Sequence, residues 1–183
     1  MPGHVAAAAQ VASEVDILVN NAGVAGELGQ SILDPDGFEA ARLEMEVNYF
    51  GLLRMTQAFA DSLRAREAAA VVNLGSVASL VSFPLFQSYS ASKAAVHSAS
   101  QALRLALGGG IQVTGVYPGP VDTEMADGIP FPKTSPAVVA QAILDGIEAG
   151  DEEVFPDAMA REMGGAFFQD PKALEREIAA MVA

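Results

Sequence analysis

An α/β fold, with a parallel sheet covered on both faces, is the architecture this chain predicts, and three observations predict it. Short apolar, β-branched runs at residues 15–19, 70–74 and 111–117 read as buried strands. Segments of helical patterning lie between and after them, at 36–66, 88–107 and from Ser135 onward. Strand and helix therefore alternate, as they do where each crossover helix packs back onto a parallel sheet.

Each element has its own local signals. The run at 15–19 stops at Asn20-Asn21-Ala22-Gly23, which reads as a tight turn after a strand. The helix at 36–66 opens on Asp36-Gly37-Phe38-Glu39, spaced for a capping box. The helix at 88–107 runs into Gly108-Gly109-Gly110, a stop. Ser135-Pro136 pairs an N-cap with proline at the first helical position, and Val138, Val139, Ala142, Ile143 and Ile147 continue it as an apolar stripe. Residues 153–155 form a final short strand. No repeat or linker divides the chain, so residues 1–183 form one domain.

Composition narrows the function. Half the residues are hydrophobic and 18% are charged, a globular profile. Ten Lys and Arg against 23 Asp and Glu give a net charge of −13, which argues against a nucleic-acid surface. No apolar run approaches the roughly 20 residues of a membrane span, and no signal peptide opens the chain, so the cytoplasm is the expected setting. The chain has no cysteine. His4 and His97 lack ligand spacing, and no carboxylate cluster resembles a metal site.

The chemistry concentrates in Tyr89-Ser90-Ala91-Ser92-Lys93, with Ser76 thirteen residues upstream and Asn48 further back. On a helix, the four-residue spacing puts phenol and ammonium on one face. A neighbouring cation favours the phenolate, so Tyr89 is expected to exchange its proton more readily than a free tyrosine. Ser76 would place a hydroxyl donor where charge develops on a substrate oxygen.

At these residues the chain resembles the short-chain dehydrogenase/reductase family. A Tyr-x-x-x-Lys pair alone is also met on surface helices; here Asn20-Asn21-Ala22-Gly23, Asn48-Tyr49-Phe50-Gly51, Gly75-Ser76 and Pro118-Gly119 accompany it in the family's order. The resemblance runs from about Val5 to the last residues. It implies a partial Rossmann-like, doubly wound parallel sheet that lacks its first three strands. The family's opening strand, glycine-rich turn and helix are absent, and Met1 to Gln10 look like the loop and helix before its fourth strand, so about sixty residues of the dinucleotide-binding half are missing. The strand at 15–19 would then be left with an uncovered, β-branched edge that invites association.

The resemblance also implies roles. Tyr89 exchanges a proton with the substrate while a nicotinamide exchanges the hydride, and Lys93 lowers the tyrosine pKa and holds the nicotinamide ribose, so both residues belong to the cofactor site as well. Asn48 bends its helix and organises a water in a proton relay. Asn21, Ala22 and Gly23 support the adenosine ribose; Pro118, Gly119, Val121 and Thr123 form a second cofactor element. The cofactor is NAD or NADP, and the choice stays open because the discriminating residue lies in the missing half. Plainer readings coexist: Lys93 as a solvated lysine, Ser76 as a cap with Ser79 as competitor, Gly23 and the Pro-Gly pair as turns. Met125, Ile129, Phe131, Leu85 and Phe86 flank the family's substrate pocket, or else are core or dimer surface; as pocket residues they suit an apolar alcohol or ketone. Two functions follow. One is an NAD(P)-dependent oxidoreductase that associates into a homo-oligomer through the helices at 36–66 and 88–107; the other is an inactive, dimerising remnant of such an enzyme.

Overall fold

A computed structural model describes residues 2–12 and 14–181; Met1, where the resemblance to the family's pre-strand loop begins, lies outside them. The described elements run α1 (Pro2–Val11), β1 (Ile17–Asn20), α2 (Gly37–Glu44), a π-helical stretch (Met45–Gly51), α3 (Leu52–Arg64), β2 (Ala69–Leu74), α4 (Gln87–Leu107), β3 (Ile111–Val116), α5 (Pro136–Ala149), β4 (Glu153–Val154), α6 (Ala158–Gln169) and α7 (Pro171–Ala180). The four strands form one parallel sheet in the order β1-β2-β3-β4.

Side-chain alternation along the strands sorts the core onto two faces. Leu18, Val71, Ile111 and Val113 meet Phe59 and Leu63 of α3 on one face. Val72, Val116 and Val154 meet Val139 of α5 on the other, with Ala142, Ile143 and Ile147 packed around them. The stripe expected on α5 is present except at Val138, which is 48% exposed. At β1 the second face is open: Ile17 and Val19 remain 44% and 49% exposed. A third cluster joins α6 and α7 to the segment after β2 through Val77, Phe83, Met163, Leu174 and Ile178.

Several boundaries differ from expectation for local reasons. Val15 is not in β1, because its N–H donates to Ser62 Oγ at 3.3 Å. The Asp36–Glu39 capping box does not form: Asp36 is already helical, at φ −88°, and its side chain caps nothing. Asp34 organises that turn instead, with its carboxylate accepting from Ser31 N at 2.8 Å. The long helix is not continuous α-helix but widens over Met45–Gly51, the stretch that holds Asn48; such π turns occur often at functional sites. Ser135 caps α5 as expected, accepting from Val138 N. Helices α6 and α7, which the strand-helix pattern did not reveal, begin at Asp157 and Asp170; both side chains accept N-terminal backbone N–H groups, and Pro171 follows the second. No described helix is long and apolar enough to cross a membrane.

Candidate active site

The carboxyl ends of β1, β2 and β3 open onto a cavity of about 800 Å³, the place where open α/β sheets bind ligands. β2 ends at Leu74, and the chain turns through Gly75 and Ser76 into a single 3-10 turn at Val77–Ser79. Ser76 Oγ accepts from Ala78 N and Ser79 Oγ accepts from Ser76 N, each at 3.1 Å. Capping does not remove Ser76 from the cavity: it caps the turn and still lines the cavity, whereas Ser79 is buried and does not line it.

Helix α4 presents Tyr89 and Lys93 one turn apart to the same cavity. Tyr89 and Ser76 line this cavity together. Lys93 is no solvated surface residue; it is 5% exposed, and Nζ donates to the Leu74 carbonyl at 2.7 Å. Burial presses its pKa down to about 8.

The expected lowering of the tyrosine pKa is not what the site produces. Tyr89 is pushed up to about 12 by burial; the nearby Ser76 hydroxyl pulls it down by less, and the charge of Glu44 raises it by less still. The reason is geometric. Nζ of Lys93 stands 5.7 Å from the centroid of the tyrosine ring and spends its hydrogen bond on a carbonyl, so desolvation of the phenolate dominates.

Asn48 is 2% exposed and does not line the cavity. Its amide donates to Val24 O at 2.9 Å and to Ser92 Oγ at 2.8 Å, and its oxygen accepts from Val24 N at 2.8 Å. It thus ties the chain after β1 to α4. The turn Asn21-Ala22-Gly23 forms one wall of the cavity. Gly23 leaves a cradle there: a Cβ at that position would stand 3.4 Å from Asn48 Oδ1 and 3.5 Å from Lys93 Nζ.

Across the cavity, Pro118, Gly119, Val121 and Thr123 form the opposite wall. Gly119 N donates to Asp157 Oδ2 at 2.9 Å while Asp157 Oδ1 caps α6. Val121 bridges to Thr134, which brackets the intervening loop, and Thr123 Oγ1 donates to the Val121 carbonyl at 3.3 Å. Phe86, Met125, Ile129 and Phe131 line the cavity, but Leu85 does not; its carbonyl accepts from Gly29 N.

The sequence reading missed part of this wall. Phe83, Val139, Ile143 and Met159 also face the cavity, supplied by the segment after β2, α5 and α6. It also missed a buried polar chain under the site: Asn20 Nδ2 donates to Thr56 Oγ1 and Asn73 Oδ1, and Asn73 Nδ2 donates to Ser100 Oγ, at 2.9–3.0 Å. Polar residues at interior positions of strand runs were its available signal. Among the described residues no cluster of three or more His, Cys, Asp or Glu could hold a metal.

Residues 2–131 match the model of the short chain dehydrogenase family. The chain is 36% identical over 132 residues to mouse dehydrogenase/reductase SDR family member 7B, a match that takes 68% of this chain and 39% of the relative. It is 42% identical over 123 residues to the galactitol 2-dehydrogenase (L-tagatose-forming) of Cereibacter sphaeroides, with 66% and 47% covered. The chain thus spans less than half the length of these curated relatives. A short chain dehydrogenase of Burkholderia cenocepacia, solved in complex with NADP, superposes with a TM-score of 0.90 at 38% identity over 97% of this chain and 74% of that one.

Proposed function

This chain belongs to the short chain dehydrogenase family, and from that premise we propose that it is an NAD(P)-dependent oxidoreductase interconverting a small, apolar alcohol and its carbonyl compound. The observation that carries this reading is that Ser76 and Tyr89 line one cavity together with the ammonium of Lys93. The apolar preference is supported by the side chains of Phe83, Phe86, Ile129, Phe131 and Met159 on its walls.

The donor set suits a nicotinamide ribose: the buried ammonium of Lys93 lies beside Gly23, and Ser76, Tyr89 and the loop at 118–123 line the same cavity. Lys93 would hold the ribose hydroxyls, Asn21, Ala22 and Gly23 the adenosine side, and Pro118, Gly119, Val121 and Thr123 the nicotinamide side. The NADP held by the Burkholderia relative supports a dinucleotide, and NAD and NADP both remain in scope. When bound, the dinucleotide supplies or accepts the hydride. In the reductive direction Ser76 donates a hydrogen bond to the carbonyl oxygen, and Tyr89 delivers the proton to that oxygen as its carbon is reduced. Asn48 keeps the Val24 backbone and α4 in register beneath this exchange, and a water organised there would complete a proton relay to Lys93.

The elevated tyrosine pKa sets the expected pH dependence. Tyr89 remains protonated through neutral pH, so its own titration should not limit carbonyl reduction there, whereas the ammonium of Lys93 is lost as pH rises through about 8. Alcohol oxidation needs the phenolate and should rise as pH climbs toward about 12.

Equilibrium binding of NADH and NADPH to the 183-residue chain, followed by turnover of ketones of graded polarity, tests the proposal. Micromolar binding with turnover that Tyr89→Phe abolishes is expected. Absence of binding at millimolar cofactor would overturn it and favour an inactive remnant retained for association. The exposed Ile17 and Val19 on β1, and Leu43, Phe50 and Leu105 on the two long helical segments, support self-association in either case.

A further inference from the structure

Pro118-Gly119-Pro120 carries one backbone N–H across three residues, because proline has none. That N–H belongs to Gly119, which is buried, so it needs an acceptor. Asp157 supplies it: Oδ2 accepts from Gly119 N at 2.9 Å, while Oδ1 accepts from Ala160 N at 2.8 Å and caps α6. A single carboxylate therefore joins the loop after β3 to the first turn of α6.

Each residue of that tripeptide is tied to a different segment. The Pro118 carbonyl accepts from Val77 N and the Pro120 carbonyl from Thr134 N, both at 2.9 Å. The tie at Gly119 is made by a side chain. A Cβ at Gly119 would stand 2.9 Å from Asp157 Oδ1 and 3.3 Å from both Cβ and Sδ of Met159, so α6 begins directly against the loop backbone. Met159 lines the cavity and packs against the same apolar cluster as Phe86 and Tyr89.

We propose that Asp157 is a positioning residue and Met159 a specificity-determining one: the carboxylate holds the loop at 118–123 and the start of α6 as one wall, and Met159, seated against Gly119, limits how bulky a carbonyl compound that wall admits. Asp157 does not line the cavity and acts through Gly119 and Met159. Because the loop is the one assigned to the nicotinamide side, the limit falls on the groups attached to the reacting carbon. The size limit rests on the oxidoreductase function proposed above, whereas the clamp needs neither cofactor nor turnover.

The clamp is read on the free chain. Asp157→Ser keeps a capping oxygen for α6, but one oxygen cannot stand at both acceptor positions, so the Gly119 amide should lose protection from hydrogen exchange. The chain has seven methionines; methyl labelling gives few NMR signals, and Met159→Leu identifies one of them, which should shift in Asp157→Ser. Asp157→Asn, closest in shape, offers one acceptor oxygen and should act in the same direction, which covers a misfolded serine variant. The size limit is read as the ratio of kcat/KM for acetophenone to that for 2-butanone. Met159→Ala should raise this ratio about tenfold and Asp157→Ser about threefold. A variant that only lowers the folded fraction scales both ketones alike and leaves the ratio where it was. A protected Gly119 amide or an unmoved Met159 signal in the folded Asp157 variants would overturn the clamp, and an unchanged ratio in an active variant would overturn the role given to that residue. A released clamp in a chain that binds no dinucleotide, or reduces neither ketone, would sustain the clamp and sink the size limit together with the oxidoreductase reading.

Discussion

The centre of the sheet and its β1 edge are built from similar residues and end in different states. Val71, Val72 and Val116 are completely enclosed, because α3 and α4 cover one face of β2 and β3 and α5 covers the other. On β1, Leu18 is buried while Ile17 and Val19 face a side that α5 does not reach. Burial also shifts the cavity's titratable groups: it raises the proton affinity of Tyr89 and lowers that of Lys93. Asn21 and Ala22, which follow β1, are exposed. The contrast teaches that an apolar, β-branched run specifies a strand, and that the neighbouring layers decide whether both of its faces are buried.

The largest expected effect breaks the centre. A Cβ on Gly115 of β3 would collide with the phenol of Tyr117, which is 1% exposed, stacked on Phe155, and hydrogen-bonded to His97 at 2.9 Å. Gly115→Ala should therefore cost about 3 kcal/mol in urea unfolding; a loss under roughly 0.5 kcal/mol would show that the centre is looser than described.

The next effect has the opposite sign. Lys93 has its pKa depressed to about 8 from 10.5, so between those values the folded chain has released a proton that the unfolded chain still holds. Its contribution to stability therefore rises with pH across that window, and below pH 8 the burial penalty is fully present. Lys93→Met should stabilise the fold by about 1–2 kcal/mol at pH 7, with the gain vanishing above pH 10.5, as thermal melts at graded pH would record. A variant equally stabilised at all pH values would sever the gain from this charge. The smallest effect belongs to the edge. Ile17→Ala should change unfolding by about 0.5 kcal/mol or less, and a loss of several kcal/mol would mean that this face is covered in solution.

Particular residues show how far the sequence could be read. Tyr89, Lys93, Ser76, Gly23 and Val121 converge on one cavity because strand ends and a helical four-residue spacing are local facts. Thirteen residues separate Ser76 from Tyr89, and a turn with a reciprocal serine cap leads the chain between them so that both line one cavity. Asn48 was legible as an oddity inside a helix, but its partners Val24 and Ser92 were not, since they lie 24 and 44 residues away. Glu44, one turn before it, looked like any helix carboxylate until its surroundings were known. Asp36 was misread because Asp34 offered a competing turn two residues earlier.

What the sequence by itself determined is the alternation of strands and helices up to β4, the parallel sheet, and part of the cavity lining, including Ser76, Tyr89 and Lys93, which follow from periodicity, turn chemistry and ordered motifs. The tertiary structure alone decided their energies. A hydroxyl or an ammonium has an ordinary pKa until the layers around it remove water, and that removal depends on contacts far apart in the chain. So the phenol of Tyr89 holds its proton more tightly than the Tyr-x-x-x-Lys spacing suggested, Lys93 holds its own more weakly, and Glu44 buries an oxygen that has no hydrogen-bond partner among the described residues.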